Sequence, residues 1–343
     1  MKTRPMIPAA GITVAMLAAI VSLIPASIAS AQGRTHAVIV AGLGGDAQYR
    51  ESFHAEASQI YRALVERHGL PAENVTYLGE SVDVDPELIA MRSTRANVLQ
   101  VLGEIAQEAE PMDRVFLVLI GHGTVSQDEA RLNLPGPDLT PTDLQLGLTA
   151  FPTQTLALVH TGTASGGFIA PLSGPNRILV AATSTQRQLN ATEFGQFFAA
   201  AIAGEGADLD HDGRVSLLEA FDFTRQEVAR QYETANEMIT ETAVLDDDGD
   251  GEASAEPSIA GPDGPLAATF QLGGVSGTMA QTPDDPELAR LYEERNEIQG
   301  RIAELRATRG DMSEDEFLDT IEPLLVELAL KNREIRELEG TSH

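Results

Sequence analysis

Buried strands are predicted where the chain carries short, continuous apolar runs rich in β-branched residues. Four runs stand out, and a weaker one, VTYLGE at 75–80, follows the first of them. Runs of this length without polar alternation are typical of strands buried on both faces of a parallel sheet. The four strong runs are HAVIVAGL at 36–43, RVFLVLIG at 114–121, TLALVH at 155–160 and RILVAAT at 177–183.

Two amphipathic segments flank the weaker run. The first carries apolar residues at helical spacing from Phe53 to Leu64 and stops at Gly69, and the second starts at Thr94 and continues to Ile105. Strand and helix therefore alternate, which predicts an α/β fold with a mostly parallel sheet and helices on both faces. In such sheets, functional residues collect at the carboxyl ends of the strands.

The last third of the chain changes pattern twice. Residues 253–283 are rich in Pro, Gly and Ser, which predicts an irregular connection. Residues 284–340 return to apolar spacings of three and four, interrupted by Arg295 and Lys331. This spacing predicts a helical hairpin or coiled coil, in which we expect Pro323 to bend the second arm. The hairpin either packs only on itself or mediates self-association or docking on a partner.

The N-terminus has the pattern of a secretory signal peptide. Lys2 and Arg4 precede an apolar stretch, and Ala29 and Ala31 form a small-x-small cleavage site. Residues 1–31 are therefore predicted to be a signal peptide that is removed from the mature chain. We expect an exported protein, periplasmic or extracellular, with no permanent membrane span after cleavage.

Charge and cysteine content exclude several classes of function. The chain has 52 acidic and 23 basic residues, a formal net charge of -29. Such a polyanion repels nucleic acid, whereas divalent cations and basic peptides are attracted to it. The chain has no cysteine, which excludes disulfides, thiolate metal sites and a cysteine nucleophile.

Candidate catalytic residues follow two of the predicted strands. His122 lies between two glycines after the run at 114–121, and the turn HTGTASGGF at 160–168 contains the end of the run at 155–160. Because neighbouring parallel strands expose their carboxyl ends side by side, a histidine after one strand and a hydroxyl after the next can meet. His160 is expected to be a structural residue at the strand end.

The order of these features resembles the caspase, metacaspase and legumain superfamily. An apolar strand, His-Gly, a further unit, a second apolar strand and then Ser-Gly follow one another, and the similarity continues through residues 177–202. The resemblance implies a caspase-like domain over 35–252. It also implies that His122 is the catalytic histidine and that Gly123 supplies the oxyanion-hole amide. Thr163 then stands in the place of the catalytic cysteine, two positions before the Ser-Gly.

That replacement decides which functions are expected. A thiol has a pKa of about 8.5 and is readily deprotonated beside a histidine, whereas a threonine hydroxyl is far less acidic. We therefore expect a pseudopeptidase that binds a peptide or protein without cleaving it. Two alternatives stay open. The first is a hydrolase that uses Thr163 or Ser165 with His122 as base. The second is an interaction module that acts through the hairpin, in which the site of His122 and Thr163 has no function.

The segment DLDHDGRVSLLE at 208–219 fits a twelve-residue EF-hand calcium loop at every position. Hard Ca²⁺ prefers six or seven oxygen ligands, and closely spaced aspartates repel one another unless a cation neutralises them. We expect a structural calcium site in this loop. The predicted ligands are Asp208, Asp210, Asp212, the carbonyl of Arg214, Ser216 and Glu219, with Gly213 at the sharp turn.

A second acidic loop, DDDGDGEASAEP at 246–257, repeats the start of this motif. Asp246, Asp248 and Asp250 occupy the first, third and fifth positions, but Pro257 replaces the bidentate glutamate at the twelfth. Irregular calcium binding, completed by Glu252 or Glu256, and a simple solvated turn are both consistent with this pattern.

Overall fold

The computed structural model describes residues 33–210, 213–272 and 314–339, together with eight helical positions from 290 to 305. These positions are 290, 291, 294, 295, 298, 301, 302 and 305. The predicted signal peptide, residues 1–31, lies outside the described residues, as does Asp212 of the first acidic loop. Within the described part of the chain, none of the helices combines the length and apolar character that crossing a membrane requires.

A seven-stranded sheet forms the centre of the α/β region. The strands of this region are β1 Thr35–Ala41, β2 Val75–Gly79, β3 Ile89–Arg92, β4 Arg114–Ile120, β5 Gly123–Ser126, β6 Glu129–Leu132, β7 Thr155–His160, β8 Arg177–Ala181 and β9 Val244–Asp246. The order in the sheet is β3–β2–β1–β4–β7–β8–β9, and every neighbouring pair is parallel except β8 and β9. Strands β5 and β6 form a separate antiparallel hairpin.

Several helices begin at a polar residue whose side chain caps the first turn. Asp46 accepts a hydrogen bond from the backbone N–H of Tyr49 at the start of α1, and Thr94 does the same for Asn97 in α2. The helices are α1 Ala47–Arg62, which a π-helical turn extends over Ala63–Arg67, α2 Arg95–Glu108, α3 Pro141–Leu148, α4 Ile169–Leu172, α5 Phe194–Ala203, α6 Leu217–Ala235, α7 Pro265–Thr269 and α8 Glu314–Glu339.

The sheet is covered on both faces, which explains why its central strands are continuously apolar. Alternate residues of β1 enter two cores: Ile39 packs with side chains of α1, α5 and α6, while Val38 packs with side chains of α2, α3 and α4. All seven residues of β1 are buried. The predicted α/β class, with a mostly parallel sheet and helices on both faces, is confirmed.

All five apolar runs form strands, and the structure adds elements that the pattern does not predict. β3 and β9 are short strands at the two edges of the sheet, and β5 and β6 are rich in polar residues. The turn between β5 and β6 has positive φ at Gln127 and Asp128, as two-residue hairpin turns require. These strands have only three or four residues each, too few to show the long apolar runs that predict the central strands.

The connection after the second acidic loop packs against the domain as far as Leu272. Ala267, Phe270 and Leu272 are buried in the core shared with α6. The backbone of this segment also pairs with the first acidic loop: Leu217 N donates to Phe270 O at 2.9 Å, and Leu272 N donates to Val215 O at 3.0 Å. The first acidic loop is thus anchored to the segment that leads away from the second.

The C-terminal helical residues pack against one another as a hairpin. Ile298 and Ile302 form a cluster with Ile321 and Leu324 of α8. Two ion pairs join the arms: Lys331 Nζ lies 2.8 Å from Glu294 Oε2, and Arg301 Nη1 lies 3.3 Å from Glu327 Oε2. Pro323 lies inside the single helix α8. Self-association through this hairpin stays a prediction.

Candidate functional site

The predicted catalytic residues lie at the carboxyl ends of β4 and β7, beside the point between β1 and β4 where the strand order reverses. β1 continues to β2 and β3 on one side, while β4, β7 and β8 follow on the other. Ligands of open α/β sheets bind outside the carboxyl ends of the strands at such a switch point. His122 follows β4 and Thr163 follows β7, and these two strands are hydrogen-bonded neighbours. The structure therefore brings the two predicted loops together.

Thr163 is buried and hydrogen-bonded to the backbone beside His122. Only 3% of its surface is exposed. Its Oγ1 accepts from Gly123 N at 2.7 Å and donates to Gly123 O at 2.9 Å. A Cβ at position 123 would collide with the carbonyl oxygen of Thr163, so glycine is required there. The hydroxyl proton of Thr163 thus points to a carbonyl and not to a base.

Ser165 has no exposed surface and ties the same turn to the end of β8. Its Oγ accepts from Thr183 N at 3.0 Å and shares a hydrogen bond with Thr183 Oγ1 at 3.0 Å. Gly166 N also donates to Thr183 Oγ1. These contacts fix the shape of the turn and leave the Ser165 hydroxyl turned away from solvent.

His122 is half-buried in a different environment. Its ring packs edge-on against Tyr49 at a centroid distance of 4.3 Å and against Phe53 at 5.0 Å, both on α1. Burial lowers the pKa of His122, and the Asp46 carboxylate opposes this in part. Among the hydrogen bonds of the described residues, none joins the His122 side chain to Thr163 or Ser165. The imidazole is therefore neutral near pH 7 and is held by aromatic packing.

Glu56 lies in the same cleft as His122 and was not predicted. The cleft is lined by residues of α1, of the loops after β4 and β7, and of the start of α5. Burial raises the pKa of Glu56 to about 7, a hydrogen bond from Ser52 acts against this, and the charge of Glu193 adds to it. The sequence could have indicated this position, because Glu56 follows Phe53 by three positions and therefore shares the apolar face of α1. The lining residues are Tyr49, Phe53, Glu56, Gly121, His122, Thr161, Gly162, Ala191, Thr192 and Gly195.

His160 is a structural residue of the strand end, as its position suggests. Its side chain is fully buried, and burial lowers its pKa to about 3. Gly162 N donates to His160 Nδ1 at 3.2 Å, and the ring packs edge-on against Phe168 at 4.8 Å. The imidazole is therefore neutral throughout the physiological range and faces the core.

The first acidic loop brings three of its predicted ligands together. Asp208, Asp210 and Glu219 each offer a carboxylate oxygen within 4.8 Å of the others. Gly213 has φ +79, and its N–H donates to Asp208 Oδ2 at 2.8 Å. This bond closes the loop on its first aspartate, because glycine tolerates the left-handed conformation that the turn requires.

Ser216 and Glu219 connect this loop to α6. Ser216 caps α6 in a capping box with Glu219, whose Oε2 accepts from Ser216 N at 2.8 Å and from Ser216 Oγ at 2.7 Å. Glu219 Oε1 accepts from Leu209 N and Asp210 N. The carboxylate thus faces the first turn of the loop, where a twelfth-position ligand has to be. Arg214 lies exposed between them.

The second acidic loop forms a cluster with a residue outside it. Asp246 and Asp248 lie within ligand distance of Asp263, which follows in the Pro- and Gly-rich segment. Asp250, predicted as the third ligand, is not in this group; its Oδ1 accepts from Glu252 N at 2.7 Å. Asp263 accepts from Asp247 N at 3.0 Å and from Ser254 N at 3.1 Å. Sequence spacing could not identify Asp263, because only the fold brings its segment back to β9.

No protein-family model and no curated protein sequence matches this chain. Its function is therefore inferred from the residues and their geometry.

Proposed function

We propose that this chain is an exported, calcium-binding protein of the caspase-like superfamily in which the strand-end site binds a peptide or protein segment without hydrolysing it. The mostly parallel sheet supports the fold, and the position of His122 and Thr163 after neighbouring strands supports the match of the two loops. No thiol is present in the chain to act as nucleophile.

The observation that carries the proposal is the pair of hydrogen bonds between Thr163 and Gly123. A hydroxyl nucleophile has to direct a lone pair to the substrate and its proton to a base. Thr163 Oγ1 instead gives its proton to Gly123 O and accepts the N–H of Gly123. That N–H is the group the resemblance assigns to the oxyanion hole. The two groups that the resemblance assigns to catalysis, the Thr163 hydroxyl and the Gly123 N–H, are therefore hydrogen-bonded to each other, and neither is directed at a substrate.

Hydrolysis by Thr163 or Ser165 would require both turns to rearrange, because both hydroxyls are buried and hydrogen-bonded. A different hydrolase has one observation in its favour. His122 and Glu56 line one cleft, and Glu56 has a pKa of about 7. A carboxyl group with that pKa can serve as a general acid or base near neutral pH. The second candidate function is therefore hydrolysis by a water molecule that His122 and Glu56 activate.

Calcium is assigned a stabilising role in the first acidic loop. The clustered oxygens of Asp208, Asp210 and Glu219 supply the hard ligands that Ca²⁺ prefers, and a bound ion would relieve their mutual repulsion. Extracellular calcium modules typically bind with Kd of about 10⁻⁴ to 10⁻³ M, so millimolar calcium would occupy even a weak site. The anchored loop and α6 are the elements that the ion would hold.

The binding claim is tested with the immobilised mature chain and a random peptide library. We expect peptides to be retained intact by the wild-type chain and lost from Tyr49→Ala and His122→Ala, because these side chains line the cleft. Tyr61→Ala, a tyrosine of the same helix outside the cleft, is the matched control and should retain them. Equal retention by wild type, Tyr49→Ala and His122→Ala would contradict peptide binding at this site.

A further inference from the structure

We propose that Asp246, Asp248 and Asp263 form a second divalent cation site that is separate from loop 208–219. Each of the three residues offers a carboxylate oxygen, and these oxygens all lie within 4.8 Å of one another. Oxygen ligands lie 2.3–2.6 Å from Ca²⁺, so two ligands on opposite sides of one ion are about 4.6–5.2 Å apart. The spacing therefore suits a single ion with oxygen ligands. Water and backbone carbonyls would complete its shell.

An unsatisfied oxygen inside the cluster is the independent sign of a ligand. Asp246 has no exposed surface, and its Oδ1 accepts from Ser173 Oγ at 3.2 Å. Its Oδ2 is buried and has no donor in hydrogen-bond geometry, although the backbone N–H groups of Gly249 and Gly251 lie near enough to act on the same carboxyl. Buried polar atoms almost always have a partner, and an ionised carboxylate is especially costly to bury without one. A cation between Asp246, Asp248 and Asp263 would supply that partner.

Among the residues that the structure describes, no ion pair joins a basic side chain to Asp246, Asp248 or Asp263. The neighbouring charges that act on Asp246 and Asp263 come from other aspartates. Asp247 is accounted for separately, because its carboxylate accepts from Gly264 N and Ala267 N at the start of α7. The carboxylates of Asp246, Asp248 and Asp263 therefore concentrate negative charge in one place. Unlike Asp247, they include an oxygen, Asp246 Oδ2, that no donor satisfies.

Hydrogen bonds already orient Asp263 towards the end of β9. Asp247 N and Ser254 N each donate to one of its oxygens, and Leu245 and Ser254 form a β-bridge beside it. Donors of this kind fix the direction of a metal-binding carboxylate and leave lone pairs for the ion. The ion would join β9 to the segment before α7. That segment continues to Phe270 and Leu272, which pair with the first acidic loop.

The number of calcium ions bound per mature chain tests this site independently of peptide binding. After equilibrium dialysis against millimolar CaCl₂, we expect two bound ions per wild-type chain and one in Asp248→Asn or Asp263→Asn. Asp250→Asn is the matched control, an acidic residue of the same loop outside the cluster, and should keep both ions. Asp208→Asn should lose only the ion of the first loop.

Folding of each variant is checked by circular dichroism. Asp248 is exposed, so Asp248→Asn keeps the test valid if Asp263→Asn, which accepts two backbone N–H groups, fails to fold. One ion per wild-type chain that disappears in Asp208→Asn would overturn the second site while leaving the first intact. Unchanged stoichiometry in Asp248→Asn, or no bound calcium in the wild-type chain, would overturn it as well.

Discussion

The two loops that meet at the strand ends have different physical characters. The turn after β7 has become part of the folded scaffold, since Thr163 and Ser165 are buried and make backbone hydrogen bonds. The loop after β4 keeps His122 half-exposed in a cleft, packed on Tyr49 and Phe53 and beside the partly buried Glu56. The Thr163 side therefore contributes to the stability of the fold, whereas the His122 side lines a cleft.

The largest expected effect comes from removing the Thr163 hydroxyl. Thr163→Val keeps the shape but leaves Gly123 N and Gly123 O without their buried partner. Each unsatisfied buried group costs about 1–3 kcal/mol, so we expect the free energy of unfolding to fall by roughly 2–4 kcal/mol in urea denaturation. Thr124→Val, at an exposed threonine of β5, should change it by less than about 1 kcal/mol. A small loss in Thr163→Val would remove the contrast between the two loops.

Glu56 predicts how stability varies with pH on the histidine side. Its folded pKa of about 7 lies above the unfolded value of 4.5, so the folded state holds the proton more tightly. Its stabilising contribution is complete below pH 4.5 and falls as the pH rises to 7, by up to about 3 kcal/mol from the linkage relation. Glu56→Gln cannot titrate, so this decline should disappear from urea curves recorded across that range. Parallel profiles for the two proteins would show that Glu56 is not perturbed.

Calcium should raise the free energy of unfolding through the first acidic loop, residues 208–219, and not through the loops after β4 and β7. At a calcium concentration ten times Kd, a site contributes about 1.4 kcal/mol to the free energy of unfolding. We therefore expect chelator to lower the melting temperature of the wild-type chain, and to do so less in Asp208→Ala, where the first loop is disabled. Melting curves that do not respond to chelator would contradict calcium binding in that loop.

The smallest change is expected from His122→Ala. The ring makes two edge-on aromatic contacts, and its side chain forms no hydrogen bond to Thr163 or Ser165 among the described residues. Such aromatic pairs contribute about 0.5–1.5 kcal/mol each. Because the His122 ring is only half-buried, we expect the low end of their sum, a loss of about 1 kcal/mol that is smaller than in Thr163→Val. A larger loss than in Thr163→Val would reverse the comparison between the two loops.

Much of the fold follows from sequence pattern, and the parts that do not follow depend on long-range contacts. The central strands are recognisable because both of their faces are buried. β9 has three residues in an acidic stretch and becomes a strand only by pairing with β8. Asp208, Asp210 and Glu219 could be predicted because their loop is local, whereas Asp263 meets Asp246 only after the chain returns to β9. The contact of Thr163 with Gly123 likewise depends on the close approach of two backbones.

The central claim is that the Thr163 side of the site no longer carries out hydrolysis. Its most direct measurement is mass-spectrometric detection of cleavage in a peptide library by the wild-type chain, Thr163→Ala and Thr163→Cys, each with calcium. We predict no cleavage by the wild-type chain or Thr163→Ala, and any restored cleavage only in Thr163→Cys and dependent on His122. Cleavage by the wild-type chain that disappears in Thr163→Ala would contradict the account.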